Sequence, residues 1–229
     1  MVIGNGMIAK EFNSYQANDD YIIFASGVSN STHSAATAFE REKKLLNNVI
    51  ENAAGKSLVY FSTCSMYDAS MKDSAYVQHK QNMEAIIIQQ QPLYNIFRLS
   101  NPIGKTSNTN TVINFFIKHI IERQPFSIWQ HAARNIIDID DMYKVCDEIL
   151  QKKLFKNSIV NIANPNNYPI SFIVETIENH FGIKAISTLI DKGDSPHINV
   201  SAIEPLFKKF NINFNQNYLS NLLQKYFPQ

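Results

Sequence analysis

Cysteine is scarce in this chain: Cys64 and Cys146 are the only two among 229 residues, and they stand far apart. They build neither a disulfide framework nor a short metal-type spacing. The six histidines are scattered, none paired with another at ligand spacing, so no metal site is expected. Net charge is nearly absent as well. Lys and Arg number 21 against 20 Asp and Glu, which leaves +1 at pH 7. That is too little for the basic stripe a nucleic-acid binder needs, and Lys43-Lys44 and Lys208-Lys209 read as solvated helix faces. No apolar run reaches the roughly 18 residues of a membrane span. No basic stretch leads into an apolar one as in a secretory leader. The expectation is a cytoplasmic chain with no membrane and no nucleic-acid partner.

Hydrophobic residues make up 45% and charged residues 18%, a globular composition of single-domain size. Met1-Val2-Ile3 runs into Gly4-Asn5-Gly6-Met7-Ile8-Ala9, a strand, a glycine turn and a helix start. Strand Tyr21 to Ala25 follows, then a helix from about Ala35 to Asn52 and strand Leu58 to Ser62. A helix from about Ser74 to Gln90 stops before Pro92, and strand Tyr94 to Leu99 leads into a turn over Ser100 to Gly104. Strands alternating with helices predict an α/β fold with a parallel, doubly wound sheet. Beyond Asn108 the texture changes. A helix near Thr111–Glu122, strands Phe126–Trp129 and Asn135–Ile139, and helices near Asp140–Lys152, Ser171–Phe181, Ala202–Phe210 and Gln216–Tyr226 succeed one another. The division is a core over 1–108 and a mainly substrate-binding lobe over 109–229, interleaved as one compact unit.

The chemistry concentrates at Tyr76-Val77-Gln78-His79-Lys80. Positions four apart share a helix face, so phenol and ammonium can enter one site. A phenol is a poor base at neutral pH, and a nearby ammonium favours its phenolate, which makes the pair usable for acid/base work. A hydroxyl from Ser62 or Thr63, just upstream, could bond the reacting oxygen. This is a proton-and-hydride pattern of the kind nicotinamide chemistry uses. His79, roughly 100° round the helix from Lys80, is expected to face solvent. Cys64 reads as a small structural side chain rather than a nucleophile. Trp129 could be core or a substrate shelf. Asp140 and Asp141 could bind a ribose or cap a helix, and Asn110 and Asn114 could touch a sugar or punctuate a helix start.

Taken in order, six motifs resemble the extended short-chain dehydrogenase/reductase group, the NAD-dependent epimerase/dehydratase family acting on nucleotide sugars. They are Gly4-Asn5-Gly6-Met7-Ile8-Ala9, Phe24-Ala25-Ser26-Gly27, Ser62-Thr63-Cys64-Ser65-Met66-Tyr67, Tyr76/Lys80, Arg98-Leu99-Ser100-Asn101-Pro102-Ile103-Gly104 and Arg134-Asn135-Ile136-Ile137-Asp138-Ile139-Asp140-Asp141. The resemblance implies a Rossmann-like sheet and an NAD or NADP cofactor held by Gly4, Gly6, Met7, Ile8, Ala25, Ser26, Gly27, Lys80, Asn101, Pro102 and Ile103. It implies catalysis by Thr63, Tyr76 and Lys80, and substrate contacts from Ser65, Asn114 and Arg134. The implied activity is epimerisation or keto-reduction of a nucleotide-linked sugar, in surface polysaccharide synthesis. The expected partner is a nucleotide-sugar substrate, with a homodimer as the further expectation from the sheet edge described next.

The chain departs from this pattern in what it omits. Between Gly6 and Tyr21 there is room for one helix and a turn, and none for the strand–helix–strand insert and acidic ribose reader of the usual half. Asp19 and Asp20 begin a strand, at the wrong end for ligands. The dinucleotide-binding half is therefore expected to be truncated after its first strand–helix unit, with Met1–Ile3 as a sheet edge that dimerisation or a covering loop would relieve. Cys64 and Ser65 stand where the family's dehydratases carry an Asp and a Glu, which argues against elimination chemistry. A non-catalytic nucleotide-binding or scaffold protein on the same fold is the rival reading.

Overall fold

The computed structural model describes residues 1–28, 36–106, 108–109 and 111–228. Asn110, offered by the sequence as a sugar contact, lies outside them. In chain order the elements are β1 (Val2–Ile3), α1 (Met7–Glu11), β2 (Tyr21–Phe24), α2 (Ala36–Glu51), β3 (Ser57–Thr63), α3 (Ala75–Gln90), β4 (Tyr94–Leu99) and β5 (Asn101–Ile103). There follow α4 (Val112–Ile121), β6 (Phe126–Trp129), β7 (Ala133–Asp138), α5 (Ile139–Gln151), β8 (Ser158–Ile162), β9 (Asn167–Pro169), α6 (Ile170–Phe181), β10 (Ser187–Ile190), α7 (Glu204–Lys209) and α8 (Tyr218–Tyr226).

Five strands form the main sheet in the order β1-β2-β3-β4-β8, every neighbouring pair parallel. Successive side chains on a strand point to opposite faces, and the buried residues divide accordingly. Ile22, Phe24, Leu58, Tyr60 and Ile96 pack with Leu46 and Val49 of α2 and Met83 and Ile87 of α3. Ile23, Val59, Phe61, Phe97, Leu99, Val160 and Ile162 pack with Phe12 and with Met142, Val145, Cys146 and Ile149 of α5. Helices on both faces make the sheet doubly wound, as the alternation of elements predicts.

β1 is the sheet edge and is only two residues long. The outward N–H of Val2 donates to Gln16 Oε1 at 3.0 Å, so one edge donor is met by a side chain. A short edge strand with a covered donor is a poor template for another chain.

The second core lies in the lobe, where Ile113, Phe116, Ile117 and Ile120 of α4 meet β6, α6 and α8. Here the sequence reading needs correction. Asn101–Ile103, read as a turn, is a short strand paired in parallel with β7. β8, β9 and β10 were not anticipated. β8, from the 109–229 segment, closes the main sheet beside β4.

Capping fixes the helices that matter for the site. Ser74 Oγ accepts from Val77 N at 3.3 Å and starts α3; Asp138 Oδ1 accepts from Asp140 N at 3.0 Å and starts α5.

Candidate active site

The carboxyl ends of β1 to β4 bring most of the motif residues to one rim, where ligands of open parallel sheets bind. At the end of β1, Gly4 has φ +127°, and a Cβ there would stand 2.4 Å from the Ala25 carbonyl oxygen. Only glycine lets the turn pass that close to the end of β2. Gly6, by contrast, faces open space, so its backbone is accessible to a ligand. The helix that follows, α1, spans five residues, too short for much of a dipole; what it offers is exposed N–H groups.

β3 ends on Thr63, in register with Leu99 of β4. Thr63 Oγ1 accepts from Ser65 N at 3.0 Å and donates to Ser65 Oγ at 2.9 Å. The two hydroxyls that the sequence assigned to catalysis and substrate are thus paired with each other. To orient a ligand oxygen, Thr63 has to exchange that bond. Ser62 Oγ and Ser100 Oγ, at the ends of β3 and β4, are buried with no hydrogen-bond partner among the described residues. Unpaired buried hydroxyls are costly, and both sit at the rim.

α3 runs back from this rim, and Tyr76 lies one turn nearer to it than Lys80, about 6 Å along the axis. Tyr76 is half-buried, and among the described residues its hydroxyl has no hydrogen-bond partner. Lys80 is buried. Its Nζ donates to Glu42 Oε1 at 3.0 Å, to Tyr60 Oη at 3.1 Å and to the Phe61 carbonyl at 3.4 Å. An ammonium has three donors, and all three are spent inside the protein.

Glu42, on α2, is fully buried and is the hub of this cluster. It also accepts from Tyr60 Oη at 2.6 Å and Val28 N at 2.7 Å, and lies 3.0 Å from His79 Nε2. Burial pushes its carboxyl up, but the His79, Lys80 and Tyr60 contacts and the Val28 N–H outweigh burial and hold it down at about 2. Burial, with the Glu42 charge beside it, raises the Tyr60 phenol well above its ordinary range. His79 corrects an expectation: it is buried and stacked on Phe39 at 4.4 Å between ring centroids, not solvated.

Sequence reasoning missed Glu42 and Tyr60. The signal for Glu42 was present, because Glu42, Leu46 and Val49 share the buried stripe of α2. Surrounded by Glu40, Arg41, Lys43 and Lys44, it reads as one more surface charge.

The remaining motif residues reach the rim with prior commitments. Ala25 N donates to the Ile3 carbonyl at 2.8 Å, which holds the Ala25–Gly27 turn against β1. Asn101 donates to the Asn135 carbonyl at 2.7 Å, tying β5 to β7. Asn114 Nδ2 donates to the Asn108 carbonyl at 2.7 Å and lines a small cleft with Asn101, Pro102, Ile103 and Phe227. Met7 packs against Gly104, and Ile8 packs on the core beneath α1. Arg134 is brought to Asp68, just after the Ser65 turn, at 3.4 Å, and also bonds the Ala133 carbonyl at 2.9 Å. Asp140 and Asp141 serve structure: Lys225 contacts Asp140 and Asp138 at 2.7 Å each, and Tyr218 Oη donates to Asp141. Cys64 is buried with its thiol on the Arg98 carbonyl, and burial pushes that thiol up to about 12. Trp129 is exposed on β6 beside Lys192.

A surface depression of about 270 Å³ lies at the opposite, amino ends of β2 to β4, among Asp19, Lys56, Tyr94 and Lys153. It is remote from these residues. Among the described residues no group of His, Cys, Asp and Glu is arranged to hold a metal ion. No helix among the described residues is long and apolar enough to cross a membrane.

Known structures share this architecture at low identity. RMD from Pseudomonas aeruginosa, complexed with NADPH, superposes with a TM-score of 0.73 at 12% identity, covering 97% of this chain and 96% of that one. The UDP-N-acetylglucosamine 4-epimerase of Bacillus cereus gives 0.70 at 19%, covering 97% and 81%. The dTDP-glucose 4,6-dehydratase of Bacillus anthracis, in complex with NAD, gives 0.67 at 16%, covering 95% and 76%. No curated protein sequence matches the chain. A sequence profile of the NAD dependent epimerase/dehydratase family does match, over residues 8–163, the stretch that carries β2 to β8 with Thr63, Tyr76, Lys80 and Arg134. With fold, motif order and profile in agreement, the chain belongs to the NAD dependent epimerase/dehydratase family.

Proposed function

We propose that this protein epimerises or reduces a carbon of a nucleotide-linked sugar with NAD or NADP, in the synthesis of a surface polysaccharide. The observation that carries this reading is Tyr76: a half-buried phenol with no hydrogen-bond partner among the described residues, one turn rimward of Lys80. Family membership and the nucleotide-sugar enzymes among the structural neighbours support it.

The fit to a dinucleotide is uneven. The glycine turn fits, with Gly4 drawn tight against Ala25 and open space at Gly6 for a pyrophosphate to meet the backbone. The ribose position does not fit as it stands, because Lys80 has no donor left for a ribose hydroxyl. A nicotinamide, when bound, supplies the carbon that takes or gives a hydride. The chain's own part is proton handling and positioning. Tyr76 Oη would exchange a proton with the sugar oxygen. Thr63 Oγ1 would orient that oxygen after releasing Ser65. Arg134 would exchange Asp68 for a phosphate oxygen pair, which a planar guanidinium binds well.

The engaged state of Lys80 also favours a second reading, a nucleotide-binding protein without turnover. Product analysis separates the two. Wild type and Tyr76→Phe are incubated with nucleotide sugars and dinucleotide, and products are read by NMR. The enzyme reading expects turnover that falls about 10²–10⁴-fold in the variant, the usual worth of a general acid/base, with ligand affinity retained. Equal turnover in both proteins removes Tyr76 from the chemistry.

A further inference from the structure

The feature the proposed chemistry leaves unexplained is the buried carboxylate of Glu42. Four groups from three places in the chain converge on it: Val28 N from the turn after β2, Tyr60 from β3, and His79 and Lys80 from α3. The turn lies directly on the ion pair, for a Cβ built on Gly27 would stand 2.5 Å from Lys80 Nζ and 3.0 Å from Glu42 Oε1. One oxygen, Oε2, holds the turn through Val28; the other, Oε1, holds the ammonium.

We propose that Glu42 is a positioning residue that closes the ribose end of the cradle: it ties the Ala25–Val28 turn down over Lys80, and a dinucleotide gains Lys80 only when the Glu42 contact is given up. This rests on the dinucleotide reading above for its ligand, but the internal tie does not depend on that reading. The other charged groups near the cluster do not compete for Lys80. Glu84, on the same helix, is spent on Arg98 of β4 at 2.6 Å and 3.0 Å. Lys43 and Lys44 of α2 face outward. Removing the carboxylate while keeping the side-chain shape should therefore release both the ammonium and the turn.

Two readouts test it. First, NADPH and NADH are titrated by fluorescence into wild type, Glu42→Gln, Lys80→Met and the double variant. Glu42→Gln should tighten binding at least about tenfold in the Lys80 protein and leave affinity unchanged in the Lys80→Met protein. Equal affinity in wild type and Glu42→Gln, or the same gain in both backgrounds, overturns the proposal. Second, amine acylation is followed residue by residue by peptide mass spectrometry, with no nucleotide present. Lys80 should be protected in wild type relative to Lys43 and Lys44, and should react faster in Glu42→Gln. Lys80 reacting in wild type as fast as Lys43 overturns the tie without needing any variant to fold. Should neither protein bind a dinucleotide while Lys80 labelling behaves as expected, the dinucleotide reading fails and the tie stands.

Discussion

Among individual residues, Glu42 has the most at stake. A fully buried carboxylate is tolerable only when paired and hydrogen-bonded, and removing a partner of such a pair is costly. Its folded value of about 2 lies below the ordinary 4.5. The folded state therefore holds fewer protons on it than the unfolded state does, and stability rises with pH across that window. The contribution is complete above about pH 4.5 and is lost as pH falls through about 2. It is worth about 3 kcal/mol, the shift converted at 1.36 kcal/mol per unit. Denaturant unfolding of wild type and Glu42→Gln as a function of pH checks this: wild type should lose about 3 kcal/mol more than the variant between those limits. Parallel curves would mean the carboxylate is not held as described. That Tyr76 and Lys80 lie one turn apart on one helix was legible in the sequence because it follows from helical spacing alone. Glu42 was not, since its partners arrive from β3, α3 and the turn after β2, a convergence only the tertiary fold produces. His79 misled for a related reason: α3 turns His79, Lys80 and Glu84 inward among Val77, Met83 and Ile87, so polarity there does not mark the solvent face.

The elements owe their placement to a few backbone requirements. β1 is two residues long and is fastened by Ile23 N to the Met1 carbonyl and Ala25 N to the Ile3 carbonyl, at 2.9 Å and 2.8 Å. Its glycine turn leaves no room for a side chain at Gly4. Gly4→Ala should cost at least about 2 kcal/mol through the left-handed φ and the clash together. It should also weaken any pyrophosphate contact at the turn. Thermal unfolding with dinucleotide titration checks both; a variant as stable as wild type contradicts the close approach. The strands with strong β-branched or aromatic runs, β2, β3 and β4, were readable from sequence. β5 was not, because Asn101, Pro102 and Gly104 carry turn chemistry. β10 was not either, since its residues Ser187–Ile190 are all exposed and leave no alternation to read.

On the scale of the whole molecule, the parallel sheet and the helices on both its faces followed from the order of elements. The closure of that sheet by β8 did not, because a long-range pairing leaves little mark on local pattern. The consequence is a rim at which β1 to β4 end, with Tyr76 open and Lys80 tied, and a sheet that stops at β1. On the proposed reading, such a rim offers backbone for a dinucleotide while the Glu42 tie holds the ribose position shut from within. The most direct test of this account is calorimetric titration of the wild-type protein with NAD⁺, NADH, NADP⁺ and NADPH, each with and without a nucleotide sugar, after the preparation is assayed for nicotinamide already bound. The account predicts saturable binding of one of the four at a single site. No binding of any of them at millimolar concentration, with or without the sugar, would contradict it and leave the non-catalytic reading in its place.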